Sequence, residues 1–235
     1  MFRSVGRTHV GAVRSCNEDS FIERTDAGLW AVSDGMGGHS AGDVASAAVV
    51  GAIGALPPPG DAAAGMVREA LVKTNEEMYR RSSGAPQAGT MGATVAVLVS
   101  DGKTFTCLWA GDSRLYRFRG ATLTRLTRDH RFIQDLLDSG ILSEAAAEQH
   151  PKRHVITRAV GVDSELNLDM IAGEVEKGDI FLLATDGVTS VCGDAELAAI
   201  LKASPDIADA GDAIVGRCLE NGAPDNLTLI LVARD

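Results

Sequence analysis

Leu29-Trp30-Ala31-Val32-Ser33-Asp34-Gly35-Met36-Gly37-Gly38-His39 sets the pattern on which the rest of the chain is read. The apolar run Leu29–Val32 reads as a buried strand. Phe21-Ile22-Glu23-Arg24 reads as its partner, joined through a turn at Asp26-Ala27-Gly28. The strand stops at Asp34-Gly35, and the glycine-rich stretch after it predicts a turn and loop with no regular structure.

The same event, an acidic residue at the end of an apolar strand, recurs three times. Lys103–Ala110 leads into Gly111-Asp112-Ser113-Arg114, Ile180–Ala184 leads into Thr185-Asp186-Gly187, and Asp225-Asn226 opens Leu227–Val232. Thr94–Ser100 turns at Asp101-Gly102 into Lys103–Ala110, a hairpin signal, and Leu115–Arg119 turns at Gly120 into Leu123–Leu126. Residues 1–13 are strand-like. Helical spacing appears over Ala41–Leu56, which Pro57-Pro58-Pro59-Gly60 ends. It appears again from an Asp61 cap to about Arg81, then over Asp194–Ala203 and Asp206–Glu220. Ser82–Gly92 reads as a polar connector. Strands in hairpins and helices in pairs predict an α+β fold of antiparallel sheets covered by helices. The 235 residues fit one domain, and residues 128–160, with two short helical pieces and a basic tail, read as a surface insertion.

Bulk properties exclude several functions. Lys plus Arg number 22 against 32 Asp plus Glu, a net charge of −10, which disfavours nucleic acid and anionic membranes as partners. No apolar run approaches the ~20 residues of a membrane span, and Met1-Phe2-Arg3-Ser4 lacks the core of a signal peptide. Cys16, Cys107, Cys192 and Cys218 form no CxxC pair and read as reduced thiols, so a cytoplasmic location is expected.

One Asp-Gly is ordinarily just a turn. Four acidic strand ends in one chain can meet in a single pocket, because strand ends along one sheet edge converge. Converging carboxylates repel unless a cation joins them, and all-oxygen ligands select hard ions such as Mg²⁺ or Mn²⁺. Gly35 is the best placed to offer a backbone carbonyl. Arg14-Ser15-Cys16-Asn17-Glu18-Asp19 adds acceptors in Glu18 and Asp19. If that segment is a strand, alternation sets Arg14 and Glu18 on one face. Arg14 is then either a clamp for phosphate oxygens or half of a surface salt bridge.

In this order the five stretches Arg14–Asp19, Asp34–His39, Gly111–Arg114, Thr185–Gly187 and Asp225-Asn226 resemble type 2C protein phosphatases, and the Asp-Gly-Met-Gly-Gly-His form resembles their bacterial branch. The resemblance covers about residues 5–232. It implies a β-sandwich of two antiparallel sheets flanked by paired antiparallel helices, and a flap at about residues 135–158 beside the active site. Asp34 would bridge two ions, Mn²⁺ or Mg²⁺, with the Gly35 carbonyl on one. Asp186 and Asp225 would complete the other, and Glu18 and Asp19 would hold ions or their waters. Asp112, with Asp186, would hold a third, looser ion, and Arg14 would grip the substrate phosphate. A hydroxide bridging the two ions would attack the phosphorus of phosphoserine or phosphothreonine with no covalent phosphoenzyme. Many relatives carry a proton-donating His directly after the Asp-Gly, where this chain has Met36. His39 either takes over part of that role or caps the following helix. The resemblance also implies phosphoprotein substrates, a Ser/Thr kinase to oppose, a monomer, and kinship with stand-alone phosphatases such as those that control type VI secretion. Two other classes stay open at this level. One is a phosphoprotein-binding module without catalysis, disfavoured by the complete Asp34, Asp186 and Asp225 set. The other is a different small phosphoester hydrolase.

Overall fold

The computed structural model describes residues 1–37, 41–57, 63–84, 91–143, 146–147 and 149–235. Two antiparallel sheets stack face to face. One contains β1 (Phe2–His9), β7 (Arg114–Arg119), β8 (Thr122–Arg125), β10 (Ile180–Ala184) and β11 (Leu227–Arg234), in the order β1-β11-β10-β7-β8. The other has the order β2-β3-β5-β6-β9, with β2 at Asp19–Arg24, β3 at Leu29–Gly37, β5 at Val95–Ser100, β6 at Thr104–Ala110 and β9 at Asp169–Glu174. The short β4 (Met91–Ala93) pairs with the far end of β3.

The central strands are apolar on both faces because each face has a cover. In β3, Trp30 and Val32 point into the inter-sheet core with Leu98, Phe181, Leu183, Ile230 and Val232. Leu29 and Ala31 point the other way, onto α1 (Gly42–Gly54) and α2 (Ala63–Gly84) through Val49, Ile53, Val67 and Leu71. In β11 the same alternation sends Leu227, Leu229 and Leu231 outward onto α4 (Asp194–Ala203) and α5 (Ile207–Glu220). A period of two with both phases apolar is the signature of a strand buried on both faces. The four layers, helices on sheet on sheet on helices, are therefore written in β3 and β11. The N-terminus of α5 is capped by Asp206, whose side chain accepts from the backbone N–H of Ala208 and Asp209 at 2.8 and 2.9 Å.

Several expectations change. Asp34–Gly37 is not loop: β3 runs to Gly37, because β4 supplies partners for Gly35, Met36 and Gly37. Asp34 sits where the partner of β3 changes from β5 to β4. At that break its amide donates to Thr94 Oγ1 and its carbonyl accepts from the Thr94 amide. Residues 10–18 form turns, not a strand, so alternation does not govern Arg14 and Glu18. The strand β9 has no counterpart in the sequence reading. The helix α2 extends to Gly84, into the expected connector, while the Asp61 cap and part of the second helical piece expected within residues 128–160, at about Ser143–Glu148, lie outside the described residues. Between β8 and β9 the described chain forms α3 (Phe132–Asp138), helical residues at Ala146-Ala147, and otherwise turns, bends and isolated bridges. Cys107, Cys192 and Cys218 are buried thiols, whereas Cys16 is exposed. Among the described residues no helix is long and apolar enough to cross a membrane.

Candidate metal centre

The site grows at one end of the sandwich, where strands of both sheets finish. β2 and β3 pair in a register that sets Asp19 opposite Asp34. From the other sheet, β10 ends at Ala184 and the chain enters a helical turn at Asp186–Thr189. β11 begins just after Asp225-Asn226. Asp112 occupies the Gly111-Asp112-Ser113 link between β6 and β7, which belong to different sheets. All five aspartates therefore face one region.

Hydrogen bonds hold that region in shape. The Asn226 side chain anchors the turn-rich segment before β2: its amide donates to the carbonyls of Val10 and Cys16, and its Oδ1 accepts from the Glu18 amide at 2.8 Å. Gly187 fits only because it lacks a side chain, since a Cβ there would strike the Asn226 carbonyl. On the other side His130, 2% exposed, grips the Gly111 backbone twice. Its amide donates to the Gly111 carbonyl at 2.9 Å, and its Nδ1 accepts from the Gly111 amide at 3.1 Å. Asp129, also buried, takes a two-pronged bond from Arg114 at 2.9 and 2.7 Å.

The electrostatics are those of crowded anions. Burial first, then the fields of Asp19, Asp186, Asp112 and Asp225, hold the Asp34 carboxyl well above the usual range. Burial likewise lifts Asp19 to about 7 and Asp112 to about 6, the latter against the opposing pull of Arg131. Asp186 is raised by burial, with Arg131 working against it. Two arginines share out the negative charge. Arg14, half exposed, reaches Asp225 at 2.8 Å. Arg131, 12% exposed, reaches Asp112 at 2.6 Å and Asp186 at 3.0 Å.

The oxygen-rich donor set fits hard divalent cations. Around Gly42, at the start of α1, a Cβ would come within 2.7 Å of the Glu18 carboxylate and 2.9 Å of the Gly35 carbonyl. Those two oxygens therefore converge on a space that only glycine leaves open. Asp112 Oδ1 is buried with no hydrogen-bond partner among the described residues. As the side chains stand, no three of the described acidic, His or Cys residues close around one common point. The arginines explain this, since Asp112 and Asp186 lean to Arg131 and Asp225 leans to Arg14. The centre is a neighbourhood of carboxylates that an ion would draw inward.

An open cleft of ≈ 690 Å³ lies over these groups. Arg14, Glu18, Asp34, Gly35, Asp186 and Asp225 line it together with Arg153 and His154 from the segment between α3 and β9. Of the residues singled out from sequence, Arg14, Glu18, Asp19, Asp34, Gly35, Asp112, Asp186 and Asp225 gather at or beside this cleft, while His39 lies outside the described residues. Arg131, Arg153, His154 and Thr185 went unnoticed as participants. Thr185 directly precedes Asp186, so the motif Thr185-Asp186-Gly187 carried its signal. The arginines and His154 stand in a basic stretch that offers no spacing to read.

The model of the protein phosphatase 2C family matches residues 5–231. The chain belongs to the protein phosphatase 2C family. Within it, the chain is 34% identical over 236 residues to the serine/threonine protein phosphatase PstP of Mycobacterium tuberculosis, covering 98% of this chain and 45% of PstP. It thus spans about half the length of that curated relative. The solved structure of PppA, described as a key regulatory component of T6SS in Pseudomonas aeruginosa, superposes with a TM-score of 0.92 at 39% identity, covering 100% of this chain and 98% of PppA. The catalytic domain of PstP in complex with two manganese ions superposes with a TM-score of 0.89 at 30% identity, covering 99% and 97%. The expected sandwich with flanking helices is thus the protein phosphatase 2C fold, shared over the whole described chain.

Proposed function

We propose that this chain is a metal-dependent protein phosphatase acting on phosphoserine and phosphothreonine, working as one catalytic domain with a flap over the cleft. The observation that supports this most is the meeting of Asp19, Asp34, Asp112, Asp186 and Asp225, drawn from both sheets, in a chain of this family. Asp34, Asp186, Asp225, Glu18, Asp19 and the Gly35 carbonyl are the groups to hold two ions, Mn²⁺ or Mg²⁺. Bound there, the ions supply Lewis acidity toward the phosphoryl oxygens and bring a water to working basicity near neutral pH.

The chain's own residues do the rest. Arg14 stands at the rim with half its surface open, so it can exchange Asp225 for the phosphate of an incoming residue. Arg153 and His154 approach the same cleft from the flap, and Arg153 adds positive potential for a phosphoprotein, while burial and the neighbouring arginines hold the His154 imidazole below its ordinary value. Asn226 and Thr185 keep Glu18 and Asp19 in place. An open, charged cleft suits a phosphorylated side chain on a protein surface better than a small apolar ligand. Opposition to a cytoplasmic Ser/Thr kinase, by a monomeric enzyme, completes the proposal.

The test is phosphate release from a phosphothreonine peptide, with and without Mn²⁺ or Mg²⁺, against a phosphotyrosine peptide. Metal-dependent release from the first alone is expected. Equal release from both peptides, or release unaffected by EDTA, would sink the reading.

A further inference from the structure

Arg131 is out of place for a surface arginine. Its side chain is 12% exposed, and it lies between two carboxylates, with Nε 2.6 Å from Asp112 Oδ2 and Nη2 3.0 Å from Asp186 Oδ2. Asp112 itself is 2% exposed. These are the two residues to which the family resemblance assigns a third, looser ion.

The guanidinium is held there by its surroundings. The residue before it, His130, is fastened to Gly111 through both its amide and its ring, and Asp129 is fastened to Arg114. On the other side Arg131 forms a β-bridge with Ile156, the Phe132 amide donates to the Val155 carbonyl at 2.9 Å, and the Thr157 amide donates to the His130 carbonyl at 2.8 Å. The backbone of Arg131 is thus part of the stem of the flap, and its side chain ends in the carboxylate cluster. An arginine keeps its charge at any pH at which the protein is folded, and its flat fork of donors can serve two carboxylates at once.

We propose that Arg131 is a built-in cation that takes the place of an ion between Asp112 and Asp186, and that it ties the stem of the flap to the metal centre. The proposal rests on the two-ion reading above. It makes this chain a two-ion protein in which the third positive charge is covalently supplied. A divalent ion entering between Asp112 and Asp186 would have to expel a buried guanidinium and leave it next to a second positive charge. Arg131 is then a positioning residue: it sets the Asp112 and Asp186 carboxylates and, through its backbone, the seat of Val155 and Ile156.

The experiment counts bound Mn²⁺ by equilibrium dialysis on the full chain, for the native protein, R131K, R131A and the double variant R131A/D112N. Two ions per chain are expected for the native protein and for R131K, up to high Mn²⁺ concentration. R131A is expected to bind one more, at least ~10-fold more weakly than the first two, and the double variant is expected to lose that one again. Three ions on the native protein would overturn the assignment while leaving the metal centre intact. Two ions on both the native protein and R131A would also overturn it, since the position would then refuse an ion with or without the arginine. Fewer than two on the native protein would instead remove the two-ion reading, and the proposal with it. The count on the native protein decides between two and three even if R131A does not fold.

Discussion

The hydroxyl of Thr185 donates to Asp19 across the gap between the two sheets, Oγ1 to Oδ2 at 2.8 Å. Thr185 directly follows β10 of one sheet and Asp19 opens β2 of the other, so this bond ties the halves of the centre together. The same hydroxyl oxygen accepts from the Thr228 amide at 3.1 Å. Thr185→Val keeps the shape and removes both bonds. The expected loss is about 1–3 kcal/mol of stability, the usual penalty for stranding buried polar partners. Weaker Mn²⁺ binding is expected with it. Urea titration and Mn²⁺ titration of the purified variant read the two effects.

Asp186→Asn is expected to leave the fold intact and to lower hydrolysis of p-nitrophenyl phosphate beyond the ~10–100-fold typical of an outer-shell partner. Circular dichroism serves as the fold control. Turnover at the native rate would remove Asp186 from the centre.

Gly42→Ala tests whether the Glu18 and Gly35 oxygens serve an ion. Alanine favours a helix interior over glycine by up to about 1 kcal/mol, but at this first helical position that gain is offset by a Cβ forced under 3.0 Å from the Gly35 carbonyl. The new methyl would press on the Glu18 carboxylate and the Gly35 carbonyl at 2.7 and 2.9 Å. A thermal midpoint that holds or falls, together with Mn²⁺ affinity down by roughly 10-fold, is the expected signature, the size being that of a disturbed supporting group. Unchanged affinity would show that neither oxygen serves an ion.

Arg14→Ala is expected to raise KM about 10-fold or more, the value of a hydrogen bond to a charged group, with a smaller effect on kcat. Its pair with Asp225 is half exposed, so the stability change is expected to be under about 1 kcal/mol. Steady-state kinetics on a phosphothreonine peptide separate the two constants.

His130 gives the stability of the protein an acid limb. Burial holds its imidazole below the ordinary histidine value, against the opposing pull of Asp169. The unfolded chain therefore takes up the proton first as pH falls. The contribution of His130 is complete above the unfolded pKa of about 6.5 and is lost as pH drops through the lower folded value. Protonation would also turn Nδ1 from an acceptor of the Gly111 amide into a second donor facing it. The urea midpoint is expected to fall between pH 7 and pH 5, and to fall less in His130→Asn. Parallel slopes for the two proteins would assign the acid limb elsewhere.

Much of this architecture was legible in the primary structure. The β5–β6 hairpin announced itself through Asp101-Gly102, and β10 and β11 through runs too apolar to be anything but central strands. What stayed hidden depended on partners distant in sequence. Nothing in Asp34–Gly37 marks a strand; β4 makes it one by pairing from Met91–Ala93. Among the described residues the edge strand β9 pairs only with β6 and exposes alternate residues, so its composition is unremarkable for a loop. The acidic residues could be listed from their strand ends, whereas Arg131 could not, because a single arginine has no pattern. Its meaning comes from His130 and Ile156 on either side of it in space.

β1 has one neighbour in its sheet, β11, and the two are zipped along their whole length, from Phe2 opposite Arg234 to His9 opposite Leu227. During synthesis β1 must wait, both edges open, until more than two hundred further residues have left the ribosome. Asp225 arrives on the threshold of that last strand. A partly made chain therefore lacks both the seam of its sheet and a corner of its carboxylate cluster, and contacts so remote in sequence are slow to form. In the phosphatase proposed above, activity is therefore expected to appear in a single late step, once β11 has paired with β1.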